Sequence, residues 1–379
     1  MGQLPDQDVI VVGAGPAGAM AALVLARAGV RVRAIDRARF PRFKLCGDSV
    51  NPGALAILAR LGLGAVVEGA LPVDGMIVTS GAGTRCQGRY GNGQQGCMIS
   101  RHRLDHALLA AARTAGAWVD EGVLVHAPTV DSGRVSGVEV TAADRRHVLR
   151  ARIVIAADGA SSRVARALGL ARHAQRPRRW AVGAYFADVA PADGAGRFGE
   201  MHLRPGRYIG IAPLPGGVTN ACVVTADRAV LRDPARLLQD TLHTDPQLSD
   251  RFTGARILTR PACLGPLAVE ATSGGAPGLL LAGDAAGFID PMTGDGLRFA
   301  LRGGELAAHA ALTALEHGRG DAHVQLSDMR RREFGSKWRF NRALRALAGS
   351  PLAMRLASFG ADWAPGWLER TIGYAGDIE

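Results

Sequence analysis

The chain has 379 residues, of which 47% are hydrophobic and 21% charged, so it can bury a sizeable core. This length suggests two lobes, or one large domain with an insertion. The formal net charge is +11, but only Lys44 and Lys337 among the 45 basic residues are lysine, which indicates a compositional bias toward arginine. Aromatic residues make up 5% and no nucleic-acid-binding module is present, so we expect no nucleic-acid partner. An anionic small molecule, carrier or membrane surface is compatible with the charge.

The cysteines are scattered along the chain and include no Cys-x-x-Cys pair, so we expect free thiols rather than a disulfide framework, and no metal site. Free thiols are typical of a reducing, cytoplasmic location. The N-terminal segment "MGQLPDQD" lacks a basic region, and glycine and proline interrupt the apolar run that follows it. We therefore expect neither a signal peptide nor a membrane span. The five cysteines are Cys46, Cys86, Cys97, Cys222 and Cys263.

Residues 8–36 have the pattern of a dinucleotide-binding unit. A buried strand leads into Gly13-x-Gly15-x-x-Gly18, an alanine-rich helix follows, and a second strand ends at Asp36. Gly13 permits a tight turn, Gly15 lets a pyrophosphate approach the backbone, and Gly18 lets the helix pack closely on the strand. The helix N-terminus attracts phosphate, and Asp36 is placed to accept hydrogen bonds from a ribose, which favours FAD or NAD over NADP.

Three further motifs follow in order: "SRHRLDHALLAAA" from Ser100, "AADGASS" from Ala156 and "AGDAAGFIDPMTGDG" from Ala282. With "GAGPAG" at residues 13–18, this series resembles the flavoprotein superfamily of para-hydroxybenzoate hydroxylase, which also includes geranylgeranyl reductases and flavin-dependent halogenases. The stretch "FPRFKLCGD" at residues 40–48 is similar to a motif of the geranylgeranyl reductase branch. The resemblance covers about residues 8–320 and implies that FAD is the cofactor.

The resemblance also assigns FAD contacts position by position. Arg101 matches an arginine near the phosphates, Asp284 matches an acid that binds the ribitol chain, and the backbone of residues 294–296 matches the segment facing the isoalloxazine ring. Amides at this helix N-terminus could stabilise negative charge on the reduced ring. The implied cofactor-binding residues are Gly13, Gly15, Ala17, Gly18, Asp36, Arg37, Lys44, Arg101, Leu124, Val125, Asp158, Gly159, Gly283, Asp284, Pro291, Gly294, Asp295, Gly296 and Leu297.

The motif order predicts an α/β fold: a Rossmann-like FAD-binding domain with an inserted antiparallel β-sheet substrate domain and a C-terminal helical segment. No second glycine fingerprint follows, so electrons would come from transiently bound NADPH or NADH, or from another protein. The Asp158-Gly159 motif favours the nicotinamide by resemblance. We expect residues 1–71, 100–175 and 266–320 to form the FAD-binding domain, 72–99 and 176–265 the substrate sheet, and 321–379 the C-terminal helices.

Short alternating strands within residues 176–263 predict the sheet that, by resemblance, covers the flavin and lines the substrate pocket. Its strand "RYIGIAP" lacks the Trp-x-Trp-x-Ile-Pro signature of halogenases, so we do not expect halogenation. Compared with the Tyr-x-Trp-x-Phe-Pro pattern of geranylgeranyl reductases, Gly210 and Ala212 replace the aromatic residues, which implies a wider or differently shaped pocket. The substrate candidates are Tyr185, Tyr208, Asn220 and Cys222, with Trp180 and His202 considered beside them.

Beyond a helix that runs from Gly296 to about His317, residues 328–348 form a basic stretch with interspersed aromatic and leucine residues. This stretch predicts an amphipathic helix that packs on the flavin domain with its arginines in solvent. Peripheral docking to an anionic membrane or acyl carrier is the alternative. The arginine bias of the whole chain favours the packing interpretation.

Two classes of reaction are compatible with the predicted FAD-binding domain. In a monooxygenase, FAD and O2 transfer one oxygen atom to an electron-rich substrate in a dry pocket. In a reductase, the flavin delivers hydride to a carbon–carbon double bond of an isoprenoid, and a nearby acid supplies the proton. The altered strand "RYIGIAP" favours an NAD(P)H-dependent tailoring monooxygenase. Its substrate would be a lipophilic or aromatic, polyketide-like molecule, free or carrier-bound. We prefer this prediction. The "FPRFKLCGD" stretch favours the reductase, and a non-catalytic flavin-binding protein is a third hypothesis.

Lys44 and Cys46 are the candidate catalytic residues. A lysine on a solvated face would be expected to have drifted to arginine in this chain, whereas a site lysine offers a compact charge whose pKa burial can lower. We therefore interpret Lys44 as lying near the flavin or the substrate. Cys46 would act as a proton donor or as a contact at the flavin.

Overall fold

The computed structural model describes residues 7–81, 85–175, 178–192, 197–318, 320–348 and 373–374. The C-terminal helical segment expected at 321–379 is described as one long helix, and most of its remainder lies outside these ranges. The helices in the described ranges are α1 (Pro16–Arg27), α2 (Pro52–Arg60), α3 (Arg101–Thr114), α4 (Arg163–Ala167), α5 (Pro234–Thr244), α6 (Ser249–Phe252), α7 (Gly296–His317) and α8 (Ala322–Ala348).

The strands belong to two large sheets and two small ones. The first eleven are β1 (Gln7–Val12), β2 (Val32–Asp36), β3 (Ser49–Val50), β4 (Leu71–Val73), β5 (Gly75–Thr79), β6 (Arg85–Arg89), β7 (Gly96–Met98), β8 (Trp118–Glu121), β9 (Leu124–Asp131), β10 (Arg134–Ala142) and β11 (Arg145–Ala156). The others are β12 (Ala171–His173), β13 (Trp180–Ala187), β14 (Phe198–Arg204), β15 (Arg207–Leu214), β16 (Val218–Thr225), β17 (Arg256–Ile257), β18 (Ala262–Leu264), β19 (Val269–Ala271), β20 (Gly275–Ala276) and β21 (Leu279–Leu281).

The first large sheet, the cradle sheet, has the order β20-β21-β11-β1-β2-β8, with β9 and β10 attached to β11. Strands β1, β2, β8, β11 and β21 run parallel. The last four residues of β1 are buried, as expected for a strand covered on both faces by helices. The carboxyl ends of these strands therefore meet at one edge of the sheet, where α/β proteins bind their ligands. This arrangement confirms the predicted Rossmann-like fold.

In the second large sheet, the lid sheet, β14, β15 and β16 form an antiparallel meander, β13 pairs antiparallel with β16, and β17 and β18 lie beside β13. Strands β15 and β16 form a hairpin. The expectation that residues 72–99 and 176–265 form one antiparallel sheet was wrong in two respects. Strand β5 joins β14 in parallel, and β7 pairs with β3 and β4 in a separate sheet. The chain passes through the cradle between β6 and β13, so no tight turn forces β5 and β14 to be antiparallel.

Opposite residues in an antiparallel pair share a face, so the register defines two faces of the lid sheet. Tyr185 lies opposite Asn220, and Gly210 lies opposite Cys222, which places these residues on one face. We call this the inner face. The outer face carries the apolar cluster that α5 and α6 cover, including Phe186, Ile209, Val223, Leu238 and Phe252.

Helix α8 packs through its apolar side on the cradle. Phe334 is fully buried, and its ring meets Phe299 of α7 edge-on at 5.0 Å between centroids. Trp338 packs against the same cluster, 5.7 Å from Phe334. This packing accounts for the apolar side of the helix, and peripheral docking stays a prediction. Within the described ranges, no helix has a stretch long and apolar enough to cross a membrane.

The contact between α1 and α7 leaves no room for a side chain at Gly304. A Cβ atom there would lie 2.1 Å from the carbonyl oxygen of Ala17. We expect Gly304→Ala to lower the free energy of unfolding by about 1–3 kcal/mol, because the two helices must move apart. Gly335→Ala in α8 is the matched control, since a Cβ there meets nothing within 4 Å. This substitution should be neutral or stabilising by up to about 1 kcal/mol. Urea unfolding of both variants tests the contrast, and equal effects would contradict it.

Candidate active site

The glycine turn after β1 has the geometry that the sequence predicts. Gly13 adopts a φ of +92°, and a Cβ on it would lie 2.5 Å from the carbonyl oxygen of Ala157. A Cβ on Gly18 would lie 1.8 Å from the carbonyl oxygen of Gly13. Both positions therefore require glycine for close packing between the turn, β11 and α1. Ala17 is buried behind the turn and packs against Gly283.

Asp36 at the end of β2 fixes the turn from its other side. Its carboxylate accepts hydrogen bonds from the amides of Ala14 and Ala38, both at 2.8 Å. The carbonyl oxygen of Asp36 accepts from the amide of Val123 at 2.9 Å, so Leu124 and Val125 at the start of β9 lie beside it. The Arg37 side chain is exposed next to this junction. The residues expected around the adenosine end of FAD thus lie together.

Two arginines converge on Gly15, and a buried acid holds them there. The Asp105 carboxylate is fully buried and accepts hydrogen bonds from Arg101 at 2.6 and 2.8 Å. It also forms an ion pair with Arg42 at 3.0 Å. A Cβ on Gly15 would lie 3.4 Å from Nη2 of Arg42 and 4.0 Å from Nη2 of Arg101, so both guanidinium groups face the open side of the turn.

This arrangement fits a pyrophosphate. Among the described residues, Nη1 of Arg42 is buried without a hydrogen-bond partner. Such a donor requires an acceptor, and a phosphate oxygen at the α1 N-terminus would supply one. Neither Arg42 nor Asp105 is among the cofactor residues predicted from the sequence. Asp105 follows Arg101 by four residues on one helix, which is a spacing that could have indicated the ion pair.

Lys44 lies next to the Asp158-Gly159 motif at the end of β11. Its Nζ is 3.7 Å from the position of a Cβ on Gly159. Burial lowers the pKa of Lys44, and the positive charge of Arg101 lowers it further, while Asp284 opposes both effects. Asp158 accepts a hydrogen bond from the Arg163 amide at 2.8 Å, and its other oxygen is buried without a partner among the described residues. Lys44 therefore stands among the predicted cofactor residues.

The loop after β21 connects the cradle to the lid. Asp284 lies in a short 3-10 turn, and a second such turn covers Pro291–Thr293 before Gly294, which adopts a φ of +69°. Phe288 packs against the apolar cluster that includes Leu45, Tyr208 and Leu267, which we call the cleft cluster, and lies 3.7 Å from a Cβ position on Gly296. The N-terminus of α7, with Gly296 and Leu297, is thus close to the inner face of the lid sheet.

The four substrate candidates, Tyr185, Tyr208, Asn220 and Cys222, all belong to the inner face. Trp180 and His202, which were considered beside them, lie on the outer face. His202 is buried there and hydrogen-bonds with Thr79 at 2.9 Å and Glu200 at 3.1 Å. Sequence alternation could not decide between the faces before the strand register was known.

Asp48 is the functional candidate that the sequence analysis did not single out. It is fully buried at the junction of cradle and lid, and its Oδ2 accepts hydrogen bonds from Tyr185 and Asn220, each at 2.8 Å. Its Oδ1 accepts from the Arg101 amide at 3.2 Å. Burial raises the pKa of Asp48 to about 7, although these hydrogen bonds act in the opposite direction. An acid that changes its protonation near neutrality therefore contacts two substrate candidates.

The thiols of Cys46 and Cys222 lie near this acid and are held in the neutral form. Burial raises the pKa of Cys46 and raises that of Cys222 to about 12. The Cys46 carbonyl oxygen accepts a hydrogen bond from Asn220 at 2.6 Å, which joins the segment to the lid. All five cysteines are free thiols. A catalytic role for Cys46 stays a prediction, and the neutral thiol is compatible with a proton donor but not with a thiolate nucleophile.

The hydroxyl group of Tyr208 is engaged by an acid of the loop before α7. Its hydroxyl donates a hydrogen bond to Asp290 at 2.6 Å, and Asp290 also binds the Met292 amide at 3.1 Å and Arg179 at 3.3 Å. Tyr208 thus ties the lid sheet to the loop before α7. Beside it, a Cβ on Gly210 would meet only the Cys222 carbonyl oxygen, at 3.9 Å, so the inner face is open at this position.

Comparison with known proteins identifies the class. Residues 6–333 match the family model described as FAD binding domain. Digeranylgeranylglycerophospholipid reductase 2 of Methanopyrus kandleri is 32% identical over 88% of this chain and 84% of its own length. Menaquinone reductase of Mycobacterium tuberculosis is 35% identical over 79% of this chain and 75% of its own. A geranylgeranyl bacteriochlorophyll reductase-like structure from Thermoplasma acidophilum superposes with a TM-score of 0.79 at 23% identity, covering 90% of this chain and 87% of that one.

The chain belongs to the FAD-binding domain family and is an FAD-dependent oxidoreductase of its geranylgeranyl reductase-like branch. The expectation of FAD as the cofactor is therefore supported by the family and by the unsatisfied donor beside Gly15. NADPH or NADH as the reductant stays a prediction, as do the individual FAD contacts. No group of three metal-ligating side chains occurs in the part of the chain that the structure describes.

Removal of the Arg42 guanidinium should weaken FAD binding. A hydrogen bond to a charged group contributes about 1.5–3 kcal/mol, so we expect Arg42→Met to raise the dissociation constant of FAD roughly 10- to 100-fold. Arg39→Met, which removes an exposed arginine three residues earlier, is the control and should bind FAD like the parent. Titration of the apoprotein with FAD, followed by fluorescence quenching, measures both. Parent-like affinity of the Arg42 variant would contradict the assignment.

Proposed function

We propose that this protein is an FAD-dependent reductase that saturates carbon–carbon double bonds of an apolar, isoprenoid-type molecule. The observation that carries the proposal is the fully buried carboxyl group of Asp48, which accepts hydrogen bonds from two side chains of the inner face and whose pKa burial raises to about 7. Hydride addition to an unactivated double bond requires a proton donor beside the cofactor. The names of the relatives, which are reductases of a digeranylgeranyl lipid and of menaquinone, support the same class.

The residues of the cleft can deliver a proton in two steps. When bound, FAD supplies the hydride, and the cradle described above would hold it through Gly15, Arg42 and Arg101. Asp48 stores the proton out of contact with solvent. With Asp48 protonated, its hydrogen bond with Tyr185 reverses, so that Oδ2 donates to the phenol oxygen and the phenol hydrogen turns toward the cleft. Tyr185 would then protonate one carbon while the other receives hydride, and Asp48 re-protonates the phenolate.

The apolar surroundings of the inner face suit a hydrocarbon. Apolar side chains from the lid sheet, from the "FPRFKLCGD" segment and from the loop before α7 form one cluster, and the open position at Gly210 adjoins it. Apolar walls with few convergent polar groups are typical of sites for lipophilic ligands. The cluster includes Leu45, Tyr208, Met201, Leu267, Phe288 and Met292.

Monooxygenation of a lipophilic or aromatic molecule is the second candidate function. The observation that favours it is the open inner face at Gly210, which gives room for a ring beside the apolar cluster. Both reactions need the same cradle and a transient reductant. They differ in their need for O2 and in the role of Asp48, because oxygen transfer does not require this acid to protonate carbon.

Oxygen dependence distinguishes the two candidates. We expect the FAD-loaded protein, reduced by NADPH, NADH or dithionite without oxygen, to convert a geranylgeranyl lipid or a polyprenyl quinone into a product two hydrogen atoms heavier. Mass spectrometry and product formation under argon and under air provide the measurement. Strict dependence on O2, with a product one oxygen atom heavier, would replace the reductase by the monooxygenase. FAD binding without turnover of either kind would favour a non-catalytic protein.

Loss of the acid should slow the proton-transfer step. We expect Asp48→Asn to lower the turnover number roughly 10²- to 10⁴-fold, while FAD binding is retained. The raised pKa means that the protonated form is lost as pH rises through about 7, so the rate of the parent should fall above this pH. The variant should lose this inflection. Asp240→Asn, which changes a largely exposed acid on α5, is the matched control. A pH profile of Asp48→Asn that equals the parent profile would exclude Asp48 as the acid.

A further inference from the structure

The second lysine of the chain lies against an unusual acid at the start of α7. Asp295 directly precedes this helix, where an aspartate normally accepts a hydrogen bond from a first-turn amide. Its side chain makes no such capping bond and is 1% exposed. Its oxygens accept instead from Asn51 at 3.2 Å and Asn341 at 3.3 Å. The carboxylate thus turns away from the helix amides and into the interior.

Lys337 supplies the balancing charge from α8. It is 3% exposed, and its Nζ lies 3.4 Å from Oδ1 of Asp295. The same Nζ donates to the carbonyl oxygen of Tyr374 and lies 4.8 Å from the centroid of that ring. A buried carboxylate without its cation is strongly unfavourable, so the two residues form a dependent pair. Burial raises the pKa of Asp295, and the charge of Lys337 opposes this effect.

The N-terminus of α7 faces the cofactor side of the molecule. Phe288, which packs in the cleft cluster, contacts Gly296, and Gly304 further along the helix packs on Ala17 behind the glycine turn. A helix N-terminus carries roughly half a positive charge, which falls off within one turn. An uncompensated carboxylate at this position would cancel that field. With Lys337 beside it, the pair is neutral and the amides keep their positive potential.

We propose that Lys337 is a positioning residue that acts on FAD through Asp295: it holds the carboxylate away from the first turn of α7 and neutralises it, so that the helix N-terminus stabilises the reduced, anionic flavin ring. The role goes beyond the proposed reaction and does not depend on it, because both candidate reactions use reduced FAD. It requires only that FAD binds with its ring near this helix end.

The midpoint potential of bound FAD tests the proposal without any substrate. We expect Lys337→Met to shift the potential to more negative values, because the carboxylate then disfavours the reduced anion. Asp295→Asn should shift it to more positive values, because the Asp295 carboxylate then no longer balances the ammonium charge beside the helix end. The double variant carries neither charge, so its potential should return close to the parent value. The four proteins form a double-mutant cycle that measures the coupling between the two charges. Spectroelectrochemical titration at pH 6 and pH 9 gives all four potentials.

The two pH values separate charge from packing. Among the residues that the structure describes, the titratable groups that face Asp295 are Lys337 from α8 and Tyr90 from the segment before β7. In Lys337→Met the Asp295 carboxyl group should take up a proton at pH 6 and become neutral. The change in midpoint potential of this variant should therefore be larger at pH 9 than at pH 6. Lys337→Arg restores charge and should lie nearer the parent than Lys337→Met. Parent-like potentials of both single variants at both pH values, with FAD bound, would reduce the pair to a structural contact and overturn the proposal.

Discussion

The arrangement of the site depends on one buried carboxyl group, Asp48. It lies where the cradle and the lid sheet meet, and it receives hydrogen bonds from the α3 N-terminus on one side and from two lid strands on the other. Burying a carboxyl group is unfavourable unless donors surround it. The donors offset part of this cost and leave a group that changes charge near pH 7. In the proposed reaction, the contact that joins the two parts would therefore also supply the proton.

Other buried acids connect further segments around the predicted FAD site, again by accepting hydrogen bonds. Asp105 orients Arg42 and Arg101 toward the glycine turn, and Asp290 joins the lid strand β15 to the loop before α7. Asp295 joins that loop to α2 and α8. Each acid accepts bonds from segments distant in sequence, and each fixes a segment that borders the cleft. Because unpaired buried charges are costly, these contacts restrict the loops more strictly than apolar packing alone would.

The cradle could be predicted from the sequence because its signals are local. Gly13, Gly18 and Asp36 follow one another within one strand-turn-helix-strand unit, and the steric requirement for each glycine is visible in its spacing. The lid could be predicted only as a set of strands. Which face a residue occupies depends on register, and the register puts Tyr185 and Asn220 on the inner face and Trp180 and His202 on the outer face.

Long-range pairs could not be read from the sequence at all. Asn51 meets Asp295 across 244 positions, and Tyr208 meets Asp290 across 82, so no window of sequence contains either contact. The parallel pairing of β5 with β14 is a similar case, because the intervening chain builds part of the cradle. A family resemblance gave positions for the flavin contacts, but the acids that hold these positions became apparent only from the packing.

The two lysines illustrate what composition can and cannot indicate. In a chain that uses arginine nearly everywhere, Lys44 lies beside the predicted flavin site and Lys337 lies in the interior. A guanidinium carries five donors in a rigid plane, and each buried donor requires an acceptor. The Asp295 carboxylate already accepts hydrogen bonds from the side chains of Asn51 and Asn341. A compact ammonium group fits beside it, whereas a planar guanidinium group would leave donors unpaired. Rarity therefore drew attention to Lys44, whereas the place of Lys337 beside Asp295 at the start of α7 became visible only from the packing.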